Sequence, residues 1–346
     1  VGTLNYIVDP LLYYQRAKRV FPVLYSQEQR EQVPGIIKNS KSHNAAIMGT
    51  SLAGNYLVSE VSDALNEKTV KLTVNGATFS EQSFILSRYL ETHPDAKIVI
   101  WAVDTFYIDV APGQFTIREY DYPFYLYESI ILNPRYLLGY NVTIHSIQTI
   151  ANDLFGINSP MKTQDIDRLH TWPEGTPLGC KPVIANYDDL AGRDFKVVDP
   201  SLTPLPEFNE ANAAANMEKI TALARDNSRV KFYIYLPPYS IVRFLFEKQG
   251  QGLERLMKAR DFFAKKTEGI NNISILDFQA SEEIITDLNN YMDMLHHNRK
   301  INRLIIDVIV NGNFSDYGSV IENTEKLRKI VNGQGIEKIR KCAQAQ

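Results

Sequence analysis

The stretch NAAIMGTSLAGNYLVSEVSDAL, residues 44–65, decides the fold. Its first seven residues, NAAIMGT, form a short apolar run with the length of a buried strand. The run breaks at Gly49, and Leu57, Val61 and Leu65 then recur at helical spacing. A strand that turns sharply into an amphipathic helix is the first half of a βαβ unit.

The same rhythm continues outward. TVKLTVNG (69–76) reads as a strand, SEQSFILSRYLETHP (80–94) as a helix stopped by Pro94, and KIVIWAVD (97–104) as a third strand. A helix at about 208–226 precedes a fourth strand, VKFYIYLPP (230–238). LERLMKARDFFAKKT (253–267) is helical, ISILDF (273–278) is a fifth strand, and 298–311 is a closing helix. Strands separated by helices call for a parallel sheet, right-handed crossovers and helices on both faces. Residues 105–207 interrupt the alternation with the tyrosine- and proline-rich YDYPFYLYESIILNPRYLLGY and SPMKTQDIDRLHTWPEGTPLGCKP. That span is too long for a loop and too irregular for a βαβ unit, so it reads as a partly helical insertion over the carboxyl edge of the sheet. The expected organisation is an N-terminal extension, 1–43, and one α/β domain, 44–346.

The 346 residues carry a net charge of −3 and no cationic run long enough to follow a phosphate backbone, which argues against a nucleic-acid partner. No segment reaches the roughly 20 apolar residues that span a bilayer. Cys180 and Cys342 follow neither a metal-binding nor a redox spacing; a disulfide between them is compatible with the sequence without being indicated by it.

In a doubly wound sheet, chemistry gathers beyond the carboxyl ends of the strands. Ser51 follows the first strand, Asn75 and Gly76 the second, Asp104 the third, and Asp293, His296 and His297 stand after the fifth. A serine nucleophile needs a base, and the base needs an orienting carboxylate. Asp293 and His296 are three apart, so one helix-like turn puts them on one side, leaving an imidazole nitrogen to take the Ser51 proton. The backbone N–H groups of Leu52 and Gly76, with the Asn75 amide, are candidate oxyanion donors. Each residue also has a plainer reading. Ser51 could be a helix N-cap, Asp293 a turn or cap residue, His296 a polar residue at a helix entry, and Asp104 and Asn75 turn residues. His297 reads as a surface or pocket-wall neighbour, and Asp277 as a cap. A metal site of Asp293, His296 and His297 lacks further ligands, and adjacent histidines rarely converge on one centre.

Taken in order, IMGTSLAGN (47–55), NGATFSEQS (75–83), IVIWAVDTFY (98–107) and YMDMLHHN (291–298) resemble the four sequence blocks of the SGNH hydrolase superfamily. The likeness is to its cell-envelope branch, which includes alginate O-acetylation proteins and the D-alanyl transfer protein of teichoic acid synthesis. The resemblance implies a three-layer α/β/α fold with a five-stranded parallel sheet and a large insertion between strands three and four. It also implies nucleophile Ser51, base His296, orienter Asp293 and oxyanion donor Gly76, with no cofactor or metal. AVDT stands where many esterases carry Gly-x-Asn-Asp, and an ionised Asp104 cannot donate; Leu52 stands where the envelope branch often has arginine. LNYIVDP (4–10) resembles the segment that follows a membrane anchor in these proteins. The implied setting is therefore extracytoplasmic, periplasmic or at the cell surface, with an anchor absent from this chain. The implied activity is that of an esterase or O-acetyltransferase on a cell-surface polysaccharide. Its partners would be an acyl donor, a carbohydrate or polymer acceptor and a membrane-associated assembly. The competing expectation is a non-catalytic scaffold or binding protein of such an assembly.

Overall fold

The computed structural model describes residues 1–346 apart from 15–17, 27–28, 116–121, 157–161, 164, 174, 198–206, 337–338 and 342–346. Five strands, β1 (Ala45–Met48), β2 (Thr69–Lys71), β3 (Ile98–Ala102), β4 (Lys231–Leu236) and β5 (Ile273–Asp277), form one sheet in the order β2-β1-β3-β4-β5. Every neighbouring pair is parallel, with Ile47 opposite Ile100 and Ile100 opposite Tyr233. Side chains alternate between faces along each strand. Ile47, Ile100 and Leu276 pack with Val61, Ile305 and Ile309 of the helices Val58–Leu65 and Arg299–Asn311. Met48, Val99, Trp101 and Ile234 enter the opposite layer. There they meet Leu86, Met217 and Phe263 of the helices Phe79–Thr92, Glu210–Asp226 and Leu253–Thr267. The result is a three-layer α/β/α fold, as the alternation of elements predicts.

The chain leaves β1 for β2 on one side and then crosses to β3 on the other. The carboxyl ends of β1 and β3 therefore flank a topological switch point, where such sheets open a crevice. Ser51 and Asp104 follow these two strands.

Boundaries and extra elements depart from the sequence reading. β2 closes at Lys71, although the Leu72 and Val74 N–H groups still donate to the Ile47 and Gly49 carbonyls at 2.9 and 3.0 Å. Two further helices, Ile241–Gln249 and Tyr317–Gly333, are additions. The first hides behind the prolines of LPPYS; the second is so rich in charge that its apolar period is faint, and the helix at Arg299–Asn311 is not the closing one. The N-terminal segment forms the helices Gly2–Val8 and Gln29–Asn39, and Val33, Ile36 and Ile37 join the same core as Met48. Between β3 and β4 lie the helices Tyr140–Phe155 and Cys180–Val197. Tyr25–Ser26 pairs antiparallel with Lys162–Thr163. Several aromatic residues of this region pack on one another around Phe84, with Tyr127 at 4.8 Å and Phe115 and Phe124 both at 5.5 Å. Cys180 is held in a disulfide, and Cys342, the only other cysteine, lies outside the described residues. No described helix is long and apolar enough to cross a membrane.

Candidate active site

Ser51 sits in a turn that its neighbours force. Gly49 has φ +142, and a Cβ there would lie 2.8 Å from the Ala102 Cβ, so only glycine lets β1 turn this closely against β3. Thr50 takes the N-cap position of the 3₁₀ turn Ser51–Ala53, its Oγ1 accepting the Leu52 N–H at 3.4 Å. The capping duty that the sequence allowed for Ser51 therefore falls to Thr50, and the Ser51 hydroxyl is left to face the crevice.

Asp293 and His296 meet it there. The His296 Nε2 lies 2.8 Å from Ser51 Oγ, and its Nδ1 lies 2.7 Å from Asp293 Oδ2. An ionised carboxylate only accepts, so Nδ1 carries the ring proton and Nε2 accepts from the serine hydroxyl. The backbone here is an Asx-type turn and not the helical turn expected from the spacing. Asp293 Oδ1 accepts the Leu295 and His296 N–H groups at 2.7 and 2.8 Å, which fixes the carboxylate to the very residue it orients. Burial acts to raise the Asp293 carboxyl; the His296 ring and these two N–H groups outweigh it, and the net shift is downward. The loop is held from outside as well. Ser240 donates its N–H and its hydroxyl to the Met294 carbonyl at 3.0 and 2.9 Å, and the Met294 N–H reaches Asn186 Oδ1 at 3.3 Å.

His297 points elsewhere. It is buried, not a surface or wall residue, with Nε2 2.9 Å from Asn302 Oδ1, and burial lowers its pKa to about 4. The two adjacent histidines thus diverge, and among the described residues no group of three acidic, histidine or cysteine side chains is arranged to hold a metal ion.

The expected oxyanion donors are placed unevenly. The Leu52 N–H has only its long contact with Thr50 Oγ1, and the Gly76 N–H, in a turn with φ +61, has no acceptor among the described residues. Asn75 is exposed and clasped by Gln29, whose Nε2 donates to Asn75 Oδ1 at 3.0 Å while Gln29 Oε1 takes the Asn75 N–H. That ties the turn to the N-terminal segment. Asp104 is buried, caps the turn Thr105–Tyr107 by accepting the Phe106 N–H at 3.2 Å, and accepts the Tyr239 hydroxyl at 2.7 Å. Burial raises its carboxyl against the pull of Tyr239, Phe106, Arg243 and His296. Asp277, read as a cap, also lies in a fully buried ion pair, 2.8 Å from Arg260.

Three residues of this neighbourhood escaped the sequence reading. Trp172 presents its ring edge-to-face with His296, centroids 5.8 Å apart and planes at 85°. The backbone N–H of Trp172 donates to Asn55 Oδ1 at 3.2 Å, so the loop that carries Ser51 also holds the tryptophan. Lys71 is buried and donates to the Gly54 and Tyr56 carbonyls at 3.0 and 2.7 Å, pinning the far end of that loop. The signals were a tryptophan in a chain with two, an asparagine closing the serine motif, and a lysine inside a strand that otherwise reads as buried.

A three-layer α/β/α fold with a serine, a histidine and an aspartate hydrogen-bonded in series at its switch point is the class of protein that fold and site define. No protein-family profile and no curated protein matches the chain. Among solved structures, one similar chain is a carbohydrate esterase whose active site is described as displaying divergent catalytic and non-catalytic binding functions. It shows 10% identity and a TM-score of 0.32, over 79% of this chain and 65% of that one. This chain thus spans just under two thirds of that protein's length, and the geometry of the site, not this likeness, carries the reading that follows.

Proposed function

We propose that this protein performs serine-dependent acyl-ester chemistry, with Ser51 as nucleophile, His296 as general base and Asp293 as the orienting carboxylate. The observation that carries the reading is the unbroken series from Ser51 Oγ to His296 at 2.8 Å and from His296 to Asp293 at 2.7 Å. Ser51 Oγ attacks the acyl carbonyl while its proton passes to His296 Nε2. Asp293 stabilises the imidazolium that forms, and the Leu52 and Gly76 N–H groups receive the oxyanion. Collapse expels the alcohol, which takes the proton back from His296, and leaves acyl-Ser51. Water then completes an esterase cycle, and a sugar hydroxyl an O-acyltransferase cycle. The substrate class we favour is an O-acylated or acyl-accepting cell-surface polysaccharide at an extracytoplasmic site, beside a membrane-associated assembly. The disulfide at Cys180 supports that compartment, because disulfides persist where the surroundings are oxidising.

Intact-protein mass after incubation with p-nitrophenyl acetate or a fluorophosphonate tests the reading on the wild type and Ser51→Ala. The expected result is a single adduct on the wild type and none on the variant. A folded wild type that takes no adduct, or a variant that takes the same one, overturns it in favour of a non-catalytic binding protein.

A further inference from the structure

The helix Tyr140–Phe155 is built inside out. The face it turns to the protein is polar apart from Val142: His145, Ser146, Thr149 and Asn152 are buried beside it. Asn5 Nδ2 donates to Thr143 Oγ1 at 2.9 Å, Ser146 Oγ donates to Asn5 Oδ1 at 2.9 Å, and His145 Nε2 lies 3.1 Å from Glu31 Oε2. The face it turns to solvent is apolar. Tyr140 and Phe155 are 77% and 73% exposed, and Ile147 and Leu154 more than half, at a spacing that keeps them on one side. Asp153 is the only Asp, Glu, Lys or Arg on the helix. Just before it, Ile130, Ile131 and Leu132 stand 50%, 77% and 67% exposed in the loop leading to the short helix Pro134–Leu137. Exposed apolar surface of this extent marks an interaction site.

We infer that this face docks on a lipid bilayer surface. Two features choose that occupant over a protein. Arg135 is exposed between the aliphatic loop and Leu138, and its guanidinium has no ion-pair partner among the described residues. A cation set among aliphatic side chains complements lipid phosphates lying above an acyl layer. Tyr140, with an apolar ring and a polar tip, suits the same boundary. The inference is independent of the chemistry at Ser51.

Co-sedimentation of the full chain with vesicles of phosphatidylcholine, with and without phosphatidylglycerol, tests it. The wild type should partition to both and more strongly to the anionic vesicles. Ile131→Asp with Leu154→Asp should weaken binding about tenfold or more, with circular dichroism unchanged. Val310→Asp, at a position also more than half exposed but on the helix Arg299–Asn311, should bind as the wild type. Arg135→Gln should lose only the preference for phosphatidylglycerol. Absence of wild-type binding to either vesicle overturns the inference. So does a wild-type dimer that the double substitution turns into a monomer without changing vesicle binding, because the face then belongs to a second copy.

Discussion

Two carboxylates lie near the His296 ring, one after β3 and one after β5, and their surroundings push them in opposite directions. Asp104 is buried at 5% exposure, with burial as the largest influence, and its carboxyl is raised even though Tyr239 and the Phe106 N–H donate to it. Asp293 is about one fifth open and spends both oxygens on the His296 residue, one on its ring and one on its backbone; its carboxyl is lowered. An acid that stays ionised and grips the imidazole can orient a base. An acid whose carboxyl is raised by burial and whose donors come from its own turn and from Tyr239 shapes the wall instead. Pairs of acids driven apart in this way commonly divide the work of a site.

That division can be broken most directly by making each acid neutral. Asp293→Asn should cut the rate of Ser51 acylation by about a thousandfold or more, because an amide in that place favours the wrong imidazole tautomer. Asp104→Asn keeps an oxygen for Tyr239 and should stay within about tenfold of the wild type. Burst kinetics with p-nitrophenyl acetate measure both. Equal losses would mean that Asp104 belongs to the reacting machinery and that the difference in burial misleads.

The two adjacent histidines repeat the contrast on a smaller scale. His296 is held at the crevice, whereas His297 is buried against Asn302 with its pKa lowered to about 4. An unfolded histidine takes its proton near pH 6.5, and the folded one resists until about 4, so the unfolded chain binds the extra proton between these values. Stability contributed by the neutral ring is complete above pH 6.5 and falls away as pH drops towards 4, by at most about 3 kcal/mol. His297→Gln should flatten that part of the denaturation profile, read as chemical-denaturant midpoints across pH 4–7. An unchanged slope would assign the acid sensitivity to other groups.

What the sequence disclosed and what it hid follow the same physical line. Strand runs such as IVIWA and IYL are local signals, and the polar residues at their ends announce the crevice before any geometry is known. The helix Leu253–Thr267 is legible to the residue because its apolar positions repeat without interruption. The contact of Ser51 with His296 joins residues 245 apart, and only the order of the strands, which no local period encodes, brings them together. The Asx turn at Asp293 is one of two readings the sequence leaves open, because three-residue spacing suits a helix and a turn equally. Lys71 and Trp172 were passed over because their roles depend on partners in another element: the carbonyls of Gly54 and Tyr56 for one, Asn55 and His296 for the other.

Trp172 offers the finest test of the comparison, since it touches the base without joining the series of hydrogen bonds. An edge-to-face aromatic contact contributes roughly 0.5–1.5 kcal/mol, which corresponds to about a two- to thirteenfold change in rate. Trp172→Ala should therefore slow fluorophosphonate labelling of Ser51 by about that factor, and Trp172→Phe should restore most of it by keeping a ring against His296. The Asn55 contact is made by the backbone N–H of residue 172, so both variants retain it and the loop carrying Ser51 stays tethered. A loss as large as that of Asp293→Asn would place the tryptophan among the groups the imidazole cannot do without. A gain in labelling would mean that the ring screens Ser51 from small reagents, and that the insertion governs entry to the site more than the poise of its base.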